Sequence, residues 1–497
     1  MKKLLFLYLT VFFLQNTIAQ NTYIMCGKLL DTKSGKMHTK QTIVVKENKI
    51  LSVLDGYLLP KGAKSIDLRD KVVMPGLIDF HVHIEKEFDR NTRLNRYIMN
   101  EADIAFNSVG FVKTTLLNGF TSVRDLGGTG VNISVRNAIN AGKISGPRVF
   151  TAGKSLATTG GHADPTNGSS RNLIGDPGPK EGVVNSVEDA KKAVRQRYKN
   201  GADWIKITAT GGVLSVAKSG DNPQFTIEEV KAICQTATDY EMYVAAHAHG
   251  DEGMQRAIIG GVKTIEHGTY MSNETMELMI KHDAYLVPTI TAGKEVEEKA
   301  KISGFYPEIV VPKALAVGPQ IQGTFAKAYK KGVGIAFGTD AGVFKHGNNG
   351  KEFGFMVEAG MPAIETIQSA TITNARLLKM SNEIGQIKKG FFADIIAVDE
   401  GSNQKYRNYG ECCFCDEKRC CLQTRIRLKK DFMRSNTWNL VWTVIGTVII
   451  VMTFVNNSDS KIVFGIEIDI WMYRGLWSVI TAASFVSYLK RKKEEAS

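Results

Sequence analysis

Hydrophobic and polar positions alternate in short runs through residues 21–70, at Tyr23–Lys28, Thr42–Lys46, Ile50–Leu54 and Ser65–Leu68. Turn-forming stretches at Asp31–Gly35 and Glu47-Asn48 separate them, so the region reads as the first part of a small β domain. From Val72 onward the texture changes to apolar runs of strand length. These are Leu77–His83, Thr121–Asp125, Arg148–Ala152, Trp204–Thr208, Met242–His247, Thr264–His267, Tyr285–Thr289 and Gly334–Asp340. Stretches of helical period lie between them, among them Val187–Tyr198, Thr226–Tyr240 and Pro319–Lys331. Eight strands alternating with helices predict an α/β fold, a TIM-like (β/α)8 barrel over residues 71–380 with its chemistry at the C-terminal strand ends. Residues 381–400 then read as the second part of the small β domain, which is expected to be a β-sandwich shared with residues 21–70.

The two ends of the chain break this pattern. Lys2 and Lys3 precede the apolar run Leu4–Leu14, and Thr17-Ile18-Ala19 is a small-x-small site before Gln20. Residues 1–19 therefore read as a signal peptide for export, periplasmic or secreted; the apolar run falls well short of the roughly 20 residues needed to span a bilayer. Residues 401–432 have no strand period and crowd Cys412, Cys413, Cys415, Cys420 and Cys421 together. Adjacent cysteine pairs do not have the spacing of zinc modules. Reading degenerate codons for Gly401–Thr424 one nucleotide later turns each Cys-Cys into Val-Val and creates two strands around an Asn-Gly turn. The segment thus reads as a frameshifted replacement of the closing hairpin of the β domain. Residues 433–497 form a hydrophobic tail with two candidate transmembrane helices, 438–455 and 475–489, the second followed by Lys490-Arg491-Lys492-Lys493. Membrane attachment is expected only if that tail is genuine.

Composition narrows the function. A chain of 497 residues, 43% hydrophobic, with 47 Gly and 12 Pro is neither disordered nor collagen-like. Its net charge of +13 is concentrated toward residues 401–497, and no basic face marks the folded region, so no nucleic-acid partner is expected. The nine histidines carry more information. His81 and His83 end the first strand, His247 the fifth and His267 the sixth; Asp340 ends the eighth, Lys206 lies on the fourth, and His162 and His346 follow the third and eighth. Two residues apart on a strand, His81 and His83 face the same way and can chelate one cation, with Asp340 beside them once the barrel closes. His247 and His267 would supply a second. Two dications about 3.5–4 Å apart need a bridging anion, and Lys206 carboxylated to a carbamate offers one oxygen to each.

Several stretches carry a resemblance. They are Met74-Pro-Gly-Leu-Ile-Asp-Phe-His-Val-His83, Gly119-Phe-Thr-Ser-Val-Arg-Asp125, Thr159-Gly-Gly-His162, Gly201-Ala-Asp-Trp-Ile-Lys206 and Val244-Ala-Ala-His-Ala-His-Gly250. The series continues with Thr264-Ile-Glu-His-Gly268, Phe337-Gly-Thr-Asp-Ala-Gly342, His346-Gly-Asn-Asn349 and Gly385-Gln-Ile-Lys-Lys-Gly-Phe-Phe-Ala-Asp394. In order and content they resemble the amidohydrolase superfamily, in its imidazolonepropionase-like and Xaa-Pro dipeptidase-like (prolidase-like) branch, over residues 21–399. The resemblance implies two Zn(2+) ions, one on His81, His83 and Asp340, the other on His247 and His267, bridged by carboxylated Lys206. His249 would support the site through a hydrogen bond. Asp340 and His267 are the implied catalytic residues. Metal-bound hydroxide would attack an amide carbonyl while Asp340 accepts its proton and returns it to the leaving nitrogen. His162 and His346 would bind the substrate's ends.

The expected substrate is a small molecule, foremost a dipeptide (Xaa-Pro or similar), cleaved by a homo-oligomer. A hydrolase of cyclic amides is the alternative within enzymes, and a membrane-anchored non-catalytic binding protein the alternative outside them. If the frame does change near Glu400, the restored-frame chain, ending at about residue 425, is expected to melt at a higher temperature than the 497-residue form. Paired thermal melts decide this, and greater stability of the long form would make the tail a genuine part of the protein.

Overall fold

The computed structural model describes residues 21–399, 422–423, 436–455, 459–463 and 466–494. The leader over 1–19 and the cysteine cluster lie outside the described residues. Four strands open the chain: β1 (Thr22–Leu30), β2 (Met37–Lys46), β3 (Lys49–Asp55) and β4 (Lys64–Pro75). β1 pairs antiparallel with β2 and parallel with β4, while β2 pairs antiparallel with β3. After the barrel, β13 (Ile395–Asp399) returns antiparallel to β4, in register from Ile395 opposite Pro75 to Asp399 opposite Lys71. Its other edge meets β14 (Leu422–Gln423).

The result is one six-stranded sheet, where the sequence pattern suggested a sandwich. The reason lies in what covers its apolar residues. Leu30, Val72, Met74, Ile396 and Val398 belong to the same buried cluster as the barrel residues, so the sheet's apolar side chains share the barrel's core.

β4 runs through Gly76 directly into β5 (Leu77–Val82), the first barrel strand. It is followed by β6 (Phe120–Asp125), β7 (Arg148–Thr151), β8 (Ile205–Thr208), β9 (Val244–Ala248), β10 (Thr264–His267), β11 (Tyr285–Val287) and β12 (Gly334–Ile335). All eight lie where the apolar runs place them. Parallel ladders form two arcs, β5 to β7 and β8 to β12. Bridges Leu156–Ile207 and Val82–Ala341 join the arcs into a closed ring.

β12 is short by its ladder, yet beyond it the chain keeps bonding to the first barrel strand and the residue after it. Phe80 N donates to Phe337 O (2.9 Å), Asp340 N to His81 O (2.7 Å) and His83 N to Ala341 O (2.7 Å). Gly338 makes that approach possible, since a Cβ there would stand 2.4 Å from Val287 Cγ1 and 2.9 Å from His81 N. The flanking helices have clear signals. Ser186 caps Val187–Asn200 by accepting from Asp189 N, and Thr226 with Glu229 forms a capping box at Ile227–Asp239. One boundary differs from the sequence pattern. The helix expected from Pro319 begins at Val311, with Pro312 in the first turn, where its missing N–H is harmless, and Pro319 inside.

Contacts divide the chain into two units, Met1–Ile426 and Arg427–Ser497. The second contains helices Asn436–Val455 and Ile470–Glu494, with a short hairpin of Ser460–Val463 and Ile466–Asp469 between them. Arg474 lies over the Phe454 ring at 3.8 Å and donates to Thr453 O at 2.8 Å. Helices thus form where the two spanning segments were expected. However, among the described residues no helix is long and apolar enough to cross a membrane. The apolar part of the second, 475–489, is only about 22 Å long at 1.5 Å per residue, against roughly 30 Å of hydrocarbon.

Arg148 ties the segment before β13 to the barrel. It donates to Asp394 Oδ2 at 2.6 Å and Ser122 Oγ at 3.0 Å, with its guanidinium over Phe392. Because Asp394 is buried, Arg148→Ala is expected to lower unfolding free energy by roughly 3 kcal/mol, measurable by denaturant melts.

Candidate active site

The C-terminal ends of the barrel strands gather the chemistry-bearing side chains. β5 delivers His81 and His83, β8 Lys206, β9 His247 and His249, β10 His267, and the extension of β12 Asp340. All but the partly buried His83 are buried. His267, Thr289 and Asp340 have φ of +75°, +49° and +61°, a left-handed conformation that non-glycine residues rarely adopt. Such strain persists where surrounding bonds over-determine it. Here His267 Nδ1 meets Thr289 Oγ1 at 2.7 Å, and Thr289 N donates to Gly338 O at 3.1 Å.

Each imidazole commits one nitrogen to the protein. His83 Nδ1 lies 2.7 Å from Gly127 O, and His247 Nε2 3.0 Å from Gly211 O. A carbonyl only accepts, so those nitrogens carry the proton and His83 Nε2 and His247 Nδ1 are lone pairs. His81 Nδ1 stands 2.9 Å from Glu266 Oε2, off the line of a hydrogen bond, and the carboxylate's charge favours the proton on that nitrogen. His249 Nδ1 meets Thr269 Oγ1 at 2.8 Å. His81 Nε2 and His83 Nε2 then face Asp340 Oδ1 at 3.5 and 3.2 Å. Three acceptors converge, and Asp340 Oδ1 is buried without a hydrogen-bond partner. Lone pairs that face one another in a dry site call for a cation between them, and these residues fit one.

Among the described residues, two groups have metal-ligand spacing: His81, His267 and Asp340, and His247, His249 and His267, with ligand atoms in each group within 4.8 Å of one another. They share His267. His249, expected to act only in support, joins the second group.

The amidohydrolase family model matches residues 72–438. The chain belongs to that family. Ochratoxinase of Aspergillus niger is 33% identical over 362 residues, 69% of this chain and 73% of that protein. Among solved structures, a Xaa-Pro dipeptidase with bound methionine in its active site has a TM-score of 0.75 and 53% identity, covering 77% of this chain and 94% of that one. A prolidase complexed with N-methylphosphonate-L-proline gives 0.70 and 32%, covering 77% and 93%. The protein is accordingly an amidohydrolase, a hydrolase of C–N bonds with a metal-dependent family chemistry.

Electrostatics in this amidohydrolase favour metal binding. Burial lowers His81 and His249 to about 4 and drives His247 and His267 well below the ordinary imidazole value, so all four rings are neutral at pH 7, the form that can ligate a metal. Burial alone would raise Asp340, but His81, His83 and Lys206 around it hold its carboxyl at about 2. Burial also lowers Lys206 to about 8.

The loop histidines separate. The ring of His162 stacks on His247 with centroids 4.3 Å apart, and its Nδ1 bonds Ser215 Oγ, so it lies beside the cluster. His346 does not present a free nitrogen: Nδ1 meets Thr115 Oγ1 at 3.0 Å and Nε2 meets His83 O at 3.2 Å. Both ring nitrogens being engaged, it braces β5 where substrate contact was expected.

Sequence reading passed over two groups of supporting residues. Asp79 accepts from His81 N (3.1 Å), Thr339 Oγ1 (2.7 Å) and Asn349 Nδ2 (2.7 Å), fastening the first strand to the last. Arg124 and Glu266 form a fully buried ion pair at 2.8 Å. The available signal was a charged residue inside an apolar strand, immediately before Asp125 in one case and His267 in the other.

A pH effect follows from the imidazoles. In the unfolded chain they titrate near 6.5, whereas folded His81, His249 and His346 do so at about 4. Between those values the unfolded state binds more protons, so their stabilising contribution is complete above 6.5 and is lost as pH falls toward 4. Thermal melts of chelator-treated protein across that window should show the midpoint dropping with acidification.

Proposed function

We propose that this amidohydrolase is a binuclear zinc dipeptidase acting on Xaa-Pro or similar dipeptides. The convergence of His81 Nε2, His83 Nε2 and the partnerless Asp340 Oδ1 carries the metal part of this reading. The 53% identity to a Xaa-Pro dipeptidase that holds methionine in its active site supports the substrate class. One zinc would rest on His81, His83 and Asp340, the other on His247 and His267, with carboxylated Lys206 between them. When bound, the ions supply Lewis acidity and a water acidic enough to serve near neutral pH.

The chain's own residues do the rest. A Lys206 amine titrating at about 8 keeps a reactive neutral minority, roughly a tenth, near pH 7; its lone pair would add to the carbon of carbon dioxide and the nitrogen would then release a proton to water, leaving the carbamate. Asp340, held in one orientation by its Asp340 N–His81 O bond, takes the proton of the attacking water and returns it to the departing amide nitrogen. His267, anchored by Thr289, stands where both metal groups meet. His162, beside His247, is positioned to contact one end of the dipeptide. The leader expected over residues 1–19 would place this activity outside the cytoplasm.

Elemental analysis of purified protein should give about two zinc ions per chain, the count of two-metal sites. His81→Ala and His267→Ala are each expected to lose metal and at least about 100-fold in kcat/KM on Xaa-Pro dipeptides. Lys206→Ala should lose activity and recover part of it with added short carboxylic acids. Full zinc and activity in both histidine variants would overturn the ligand assignment. Turnover of lactam rings without dipeptide cleavage would overturn the substrate class.

A further inference from the structure

We propose that Glu266, locked in place by Arg124, is the positioning residue that aims His81 at its metal. This rests on the reading of His81 as a metal ligand.

Arg124 lies on β6 and Glu266 on β10, four strands apart in a ring of eight, so the pair crosses the barrel interior. Neither side chain reaches solvent. Arg124 has little freedom. Its Nε donates to Phe80 O at 2.6 Å, Nη1 to Thr264 Oγ1 at 3.1 Å and Nη2 to Glu266 Oε1 at 2.8 Å. Its guanidinium also rests 3.7 Å over the Phe80 ring and 4.5 Å over Trp204. Thr264 Oγ1 gives Glu266 Oε1 a second hydrogen bond at 2.5 Å.

Oε1 is thereby occupied, and Oε2 stands 2.9 Å from His81 Nδ1. The two meet off the line of the N–H bond, and neither has a hydrogen-bond partner elsewhere. Each is the group the other has.

The other clustered histidines are tied to neutral oxygens: Gly127 O, Gly211 O, Thr269 Oγ1 and Thr289 Oγ1. Among the described cluster residues, His81 alone has a carboxylate beside the ring nitrogen turned away from Asp340. A carboxylate at Nδ1 keeps the proton there, leaves Nε2 as the lone pair, fixes the ring plane and makes the imidazole a stronger ligand. Stability alone is a poor reason for such a pair, because matched apolar replacements of buried ion pairs are often neutral or stabilising.

The test pairs zinc affinity with heat stability. Zinc binding is measured by competition with a chromophoric chelator in wild type, Glu266→Gln, Arg124→Met and the double variant Arg124→Met/Glu266→Gln. Glu266→Gln is expected to bind zinc about 10–100-fold more weakly, the usual effect of losing such a partner. Arg124→Met should also lose heat stability, since it leaves a buried carboxylate unpaired. The double variant removes both charges and should regain heat stability while zinc affinity stays low. Wild-type zinc affinity in Glu266→Gln, or recovery of affinity together with stability in the double variant, would overturn the proposal. Undiminished zinc in His81→Ala would overturn the ligand reading itself, whatever the Glu266 variants show.

Discussion

A buried imidazole can serve as a metal ligand only if one of its nitrogens is already satisfied, and this constraint organises the mouth of the barrel. Five histidines converge there, and each has a partner on one nitrogen: a loop carbonyl for His83 and His247, a threonine hydroxyl for His249 and His267, a carboxylate for His81. The carbonyls set the tautomers of His83 and His247, and in each ring the nitrogen turned away from its partner is available in front. Burial keeps the His81, His247, His249 and His267 rings neutral, as ligation requires.

The partners come from other strands and loops, so the site depends on the ring being closed. Gly127 follows β6, Gly211 follows β8 and Thr289 follows β11. Asp340 arrives at His81 and His83 because Asp79 grips Thr339 and Asn349 across the seam between the first and last strands. Gly338 lets the chain pass close enough for those bonds to form. Strained backbone at Asp340 sits at this seam, and that at His267 and Thr289 at the ends of β10 and β11, where the network is dense enough to hold it.

The six-stranded sheet contributes to the same core. Its β4 continues into the first barrel strand, and its apolar side chains share one buried cluster with those of the barrel. Arg148 and Asp394 fasten the returning segment before β13 to β7. Folding of the sheet and closure of the barrel are therefore coupled through both packing and charge.

Periodicity was enough to locate all eight barrel strands, because a run such as Met242–His247 is short, largely apolar and bounded by polar breaks. It also placed His81, His83, Lys206, His247, His267 and Asp340 at strand ends, since strand direction is local information. What lay beyond the sequence were relations between distant segments. Arg124 and Glu266 are 142 residues apart, and only the ring's geometry brings them together across its interior. His346 looked free because nothing local reveals that Thr115 and His83 O occupy both its nitrogens. A sandwich was expected because alternation shows that a strand has an apolar face but not what covers it. Local pattern determines which residues form strands and where their polar ends fall; closure of the barrel decides which of those ends meet, and hence which side chains are placed to hold a metal and which to support them.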